Sequence, residues 1–127
     1  MKIKSKIENR RYKRELFKQK KQGNKEYNFE LKLEEALNSY KAAHYQEAVE
    51  KLKYLEINNN QFLVNWYLGH AYFKLFEYNL AIQSIKKSIQ LKSKDVLNLN
   101  FLAELYKAIN KYDLAILSLE ESLKIDE

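Results

Sequence analysis

Proline and cysteine are absent from this 127-residue chain, and glycine occurs only at positions 23 and 69. The strongest helix breakers are therefore almost missing, and an all-α fold is expected. Without cysteine there can be no disulfide framework and no thiolate metal site. That fits a reducing compartment. No run of eighteen apolar residues exists to span a membrane. The charged N-terminus is not followed by the apolar core of a secretory signal, so the expected location is cytoplasmic. No glycine-rich phosphate loop is present. The two histidines, His44 and His70, lie 26 positions apart with no Asp near either. The adjacent pairs Glu34–Glu35 and Glu120–Glu121 would diverge on a helix instead of facing one another. The expectation is a non-catalytic protein with no metal and no cofactor.

What is present falls into two parts. Residues 1–27 hold eleven Lys or Arg against three Glu, whereas residues 28–127 hold twelve Lys against fourteen acids. The overall charge of +6 therefore belongs to one tail. The basic residues are Lys2, Lys4, Lys6, Arg10, Arg11, Lys13, Arg14, Lys18, Lys20 and Lys21, ahead of a break at Gly23-Asn24. Ile3 with Ile7, and Tyr12 with Leu16, are spaced for a weakly amphipathic basic helix. Isolated helices are marginal in water, so this one is expected to form fully only when docked. The predicted organisation is a tail over 1–27 and a folded domain over 28–127.

The folded part repeats itself. Trp66-Tyr67-Leu68-Gly69-His70-Ala71-Tyr72 begins one amphipathic helix and Tyr78-Asn79-Leu80-Ala81-Ile82 a second, with a turn near Phe76-Glu77. Gly69 and Ala81 are small enough to let the helices approach, with Leu68, Tyr72, Ile85 and Ile89 around them. Ala103 follows Gly69 by 34 residues, Ala115 follows Ala81 by 34, and Ala48 precedes Ala81 by 33. Self-similarity at this period marks a helical array. Units are expected over about 29–61, 62–95 and 96–127. In the first, Leu33, Ala36, Leu37 and Tyr40 precede a turn at Ala43-His44. Tyr45, Ala48, Val49, Leu52, Leu55 and Ile57 follow it, and Asn58-Asn59-Asn60 ends the unit. In the third, Leu99, Leu102, Ala103 and Tyr106 form one buried face. Ala115, Leu119 and Ser122, beside Ile116 and Leu123, form the other. Asn79, Asp95 and Asp113 are the expected helix N-caps.

These slots resemble the tetratricopeptide repeat. The second unit offers Leu68, Gly69, Tyr72, Ala81, Ile85 and Ser88. The third offers Leu99, Leu102, Ala103, Tyr106, Ala115, Leu119 and Ser122. The first matches less well, through Ala36, Tyr45, Ala48 and Leu52, with Ser39 in the Tyr slot. Trp66 stands one position late, with Asn65 in the usual Trp slot, and the closing Pro is replaced by Asn60 and Ser93. The resemblance implies antiparallel helix pairs stacked as a short right-handed superhelix, with the first helix of each pair lining a concave groove.

In that family the groove positions would fall here on Leu33, Leu37, Tyr40 and Lys41. From the second unit they would be Leu63, Trp66, Tyr67, His70, Phe73 and Lys74. From the third they would be Leu97, Asn100, Phe101, Glu104 and Lys107. The residues matching the clamp for acidic chaperone tails are Leu33, Leu37, Tyr67, Leu97 and Phe101, none of which can hold a carboxylate. An aromatic, apolar groove implies an adaptor that binds a peptide or helix of a partner protein. The competing reading is that these residues pack within the domain or lie under the N-terminal segment. A second function class is a nucleic-acid- or ribosome-associated factor, recruited by the tail through phosphate charge, with stacking by Tyr12 and Phe17. Against it stands a merely solvated or docked basic helix. A third is self-association through the C-terminal helix, whose Ile116, Leu119, Leu123 and Ile125 have no polar cap after them.

Overall fold

The computed structural model describes residues 10, 13–14, 25–58, 61–92 and 95–125. Six helices run through 25–125: α1 (Lys25–Lys41), α2 (Tyr45–Asn58), α3 (Phe62–Lys74), α4 (Tyr78–Leu91), α5 (Val96–Ala108) and α6 (Tyr112–Ile125). No strand occurs among the described residues. Each helix packs on its neighbours in the chain, the quasi-one-dimensional arrangement of a repeat array. The fold is all-α and built of stacked helix pairs.

The turns inside the pairs are made without glycine. Ala43, Phe76 and Asn110 all adopt φ near +60°. At each, the next amide donates to a carbonyl five residues back: His44 to Ser39, Glu77 to Tyr72 and Lys111 to Tyr106. The left-handed residue itself donates three residues back, to Tyr40, Phe73 and Lys107 respectively. Both bonds together make a Schellman motif, which satisfies the last carbonyls of the first helix and reverses the chain. The second helix then starts at once, so each pair is an antiparallel hairpin.

The core is continuous. Ala36, Ala48, Leu52, Val64, Ala71, Ala81, Ile85 and Leu105 are fully buried. A Cβ built on Gly69 would lie 2.5 Å from Ile85 Cδ1 and 2.6 Å from Cγ1, so the close approach expected between Gly69 and the second helix is present. Ser88 Oγ donates to the Phe62 carbonyl at 3.0 Å and ties the end of α4 to the start of α3.

Several expectations are corrected. Asp95 does cap α5, accepting from the Asn98 amide at 2.7 Å. Asn79 and Asp113 cap nothing, because α4 begins at Tyr78 with Glu77 as N-cap, and α6 begins at Tyr112. The Schellman turns bring each second helix in earlier than the Asn and Asp signals suggest. Ile57, in the last turn of α2, is 82% exposed, because it lies two residues past buried Leu55 and points away from the core. Leu119, Ile116 and Leu123 are exposed where a buried face is expected. No described helix packs on that side of α6. Asn59, Asn60, Ser93 and the break at Gly23-Asn24 lie outside the described residues. So do Lys2, Lys4, Lys6, Arg11, Lys18, Lys20 and Lys21. Within the expected basic helix, Arg10, Lys13 and Arg14 are helical and exposed, and Lys13 Nζ stands 3.7 Å from Glu34 Oε1.

Candidate groove of stacked rings

The first helices carry the candidate site. α3 is apolar on nearly every side because helices flank it on both sides, α2 before it and α4 after it. Asn65 in the Trp slot is fully buried, and its Nδ2 donates to the Gln61 carbonyl at 3.0 Å. Filling that core slot with a small amide turns Trp66 outward to the adjacent face, where it is half-buried.

There it joins a ladder of rings. Tyr45 meets Tyr40 edge-on at 5.5 Å between ring centres, and Tyr40 meets Tyr67 at 6.3 Å. Tyr67 stands edge-on to Trp66 at 5.0 Å, and Trp66 tilts over His70 at 4.0 Å. His70 stacks on Phe101 at 4.1 Å with planes 7° apart. Phe101 meets Phe73 edge-on at 5.5 Å, and Phe73 continues to Tyr78 and Phe76. The chain of contacts crosses all three helix pairs. Offset and edge-on pairs of this kind add to the stabilisation from burial alone.

Of the expected groove residues, the structure joins Tyr40, Trp66, Tyr67, His70, Phe73 and Phe101 into this ladder. Leu33, Leu37 and Leu63 are half-buried along the same helices. Leu97 is 75% exposed, and Lys41, Lys74, Asn100, Glu104 and Lys107 are exposed. Those residues form a fringe and do not contact the rings through any ring pairing. Tyr45, Tyr78 and Phe76 were missed in the groove reading. They sit in or just after the turns, and only the three-dimensional hairpin brings them beside the first helices.

The electrostatics follow from the packing. Burial, and then the ammonium of Lys74 one turn on, lower the His70 pKa to about 4. The imidazole is therefore neutral at pH 7, and its Nε2 is buried without a hydrogen-bond partner. Burial also raises the Tyr40 phenol, helped by Tyr45 and Tyr67. The ladder is thus an uncharged apolar strip. Cavities lined by described residues lie off it. One of about 290 Å³ is lined by Lys32, Glu35, Glu50, Lys51 and Tyr54, between α1 and α2. His44 is exposed beside Glu47 at 3.5 Å. Among the described residues no cluster of His, Asp and Glu is built to hold a metal. No described helix is long and apolar enough to cross a membrane.

A family model for the tetratricopeptide repeat matches residues 65–95 and 98–127. The second and third helix pairs are tetratricopeptide repeats. The first pair, α1–α2, has the same turn geometry and stacks in the same way. Among solved structures, a chain titled CopN–Scc3 complex superposes with a TM-score of 0.74 at 19% identity, over 78% of this chain and 58% of that one. A crystal structure of MamA gives 0.73 at 23% identity, over 77% and 58%. The MamA R50E mutant gives 0.73 at 23%, over 79% and 74%. These likenesses show the fold. The chain spans little more than half the length of the first two. No curated protein sequence matches it.

Proposed function

We propose that the protein is a non-catalytic adaptor that holds a peptide or helix of a partner protein against the ring ladder of α1, α3 and α5. The observation that supports this reading is the ladder itself. Six half-buried rings, Tyr40, Tyr67, Trp66, His70, Phe101 and Phe73, run without interruption across three first helices. Half-burial fits both roles a scaffold needs. Each ring is part anchored by its neighbours and part accessible at the surface. Trp and Tyr lose little side-chain entropy on binding and are favoured anchors. Leu97, at 75% exposure, extends the apolar strip at its edge.

The test is binding by variants to partners captured with the intact chain. Tyr67→Ala with Phe101→Ala should abolish capture, and Leu97→Asp should weaken it. Leu97→Asp carries particular weight because so exposed a side chain does not support the core. Removal of residues 1–26 should spare binding, and binding should survive nuclease and high salt. Binding that disappears with residues 1–26 and falls steeply with salt would contradict the groove. It would move the function to the basic tail and a polyanionic partner such as RNA.

A further inference from the structure

We infer that a second copy of this chain docks on the outer face of α6, helix against helix about a twofold axis. The observation is a comparison of equivalent positions. In α4, Ile82 and Ile85 are 7% and 0% exposed, and α5 packs on that helix. In α2 the same slots are Val49 and Leu52, at 3% and 0%, with α3 packed on them. Thirty-four residues after Ile82, Ile85 and Ile89 stand Ile116, Leu119 and Leu123, at 53%, 45% and 68%. α6 keeps the stacking residues of an internal helix while nothing described is stacked on them. Contiguous apolar surface of this kind marks an interaction site.

The other surfaces narrow the occupant. The slots of α1 that correspond to Leu68 and Ala71 of α3 are Glu35 and Asn38, both exposed. Lys32 stands in the slot of Asn65 and lays its ammonium 4.0 Å from the Tyr54 ring centre. The opposite end of the stack is therefore polar. Head-to-tail stacking of copies would press Glu35 and Lys32 onto Leu119, which is costly for unpaired charge. The ring ladder does not continue past α5. The α5 slots matching Trp66, His70 and Phe73, which carry the ladder onward, are the exposed Asn100, Glu104 and Lys107. What fits is a single apolar helix on α6 alone.

A second α6 has that face. Packed antiparallel about a centre near Leu119, the two helices place Ile116 of each copy beside Leu123 of the other. The same register brings Lys124 of each copy to within about 3 Å along the axis of Asp113 of its partner, twice by symmetry. An isologous pair closes on itself and adds no third copy. One helix from each copy is a small contact for a specific complex, which typically buries about 1,200 Å² or more, so association should depend on concentration.

Sedimentation velocity of the intact chain from micromolar to several hundred micromolar tests this. A monomer–dimer equilibrium with nothing larger is expected. Leu119→Lys with Leu123→Lys should give monomer at every concentration with unchanged helical circular dichroism, since both side chains are exposed in the monomer. Lys124→Glu and Asp113→Lys should each weaken the dimer tenfold or so, and the double variant should regain it. A wild-type chain that stays monomeric would overturn the inference. So would a dimer that survives the two lysines, open-ended polymers, or failure of the charge swap to restore pairing.

Discussion

Gly69 shows how one atom sets the spacing of two helices. Its missing Cβ leaves room for Ile85, whose Cγ1–Cδ1 arm would otherwise be met at 2.5–2.6 Å. The equivalent pairs in the other units are Ala36 with Leu52 and Ala103 with Leu119. The β-branched Ile goes with Gly, and Leu, branched only at Cγ, goes with Ala. Gly69→Ala should therefore destabilise by about 1 kcal/mol net, overpacking of ~2 kcal/mol outweighing the ~1 kcal/mol gain in helix propensity. Ile85→Leu in the same chain should recover most of that loss, and a double-mutant cycle in denaturant measures the coupling. Ala43 is the opposite case. It is exposed and held at φ 64°, a conformation that disfavours any Cβ. Ala43→Gly should stabilise by up to about 1 kcal/mol.

His70 belongs to the same scale. Its folded pKa of about 4 lies below its ordinary 6.5. An unfolded chain therefore binds this proton at a higher pH than the folded one. Stability must be full above pH 6.5 and fall as pH drops from 6.5 towards 4. His70→Phe keeps a ring on Phe101 and removes both the titration and the buried unpartnered Nε2. Thermal melts of wild type and variant should diverge as pH falls through that window, with the variant the more stable. It should also gain about 1 kcal/mol at pH 7 from losing the unsatisfied nitrogen. Parallel curves for the two proteins would contradict the burial of the imidazole.

At the scale of elements, the helix pairs were legible because small and large residues recur together at a near-constant offset. Gly69, Ala81, Ala103 and Ala115 mark close contacts, and Leu52, Leu68, Leu102 and Tyr106 fill the space around them. Helix starts were less legible. Asn79 and Asp113 have good capping side chains, yet Schellman turns closed by Ala43, Phe76 and Asn110 fix the start of each second helix instead. Nothing in the residue types Ala or Phe announces a left-handed turn. The face of α6 misled for another reason. Periodicity reports that a helix has an apolar side, and says nothing of whether a neighbour covers it. The ladder was half visible: the rings of α3 and α5 stood at groove positions, whereas Tyr45, Phe76 and Tyr78 joined only through the hairpin turns.

For the whole molecule, three surfaces differ in kind. The first helices carry a strip of uncharged rings, the outer slots of α1 are polar, and those of α6 are apolar. Arg10, Lys13 and Arg14 add exposed positive charge near Glu34. The proposed partner protein lies along the ladder. A photo-crosslinking side chain placed at Leu97 or Asn100, on the fringe of the ladder, tests it directly in cells, against controls at Gln46 and Gln90 on the second helices. The prediction is a discrete protein adduct from Leu97 and Asn100 that Tyr67→Ala with Phe101→Ala removes, and none from Gln46 or Gln90. Adducts of equal strength from all four positions, or adducts to nucleic acid alone, would contradict it.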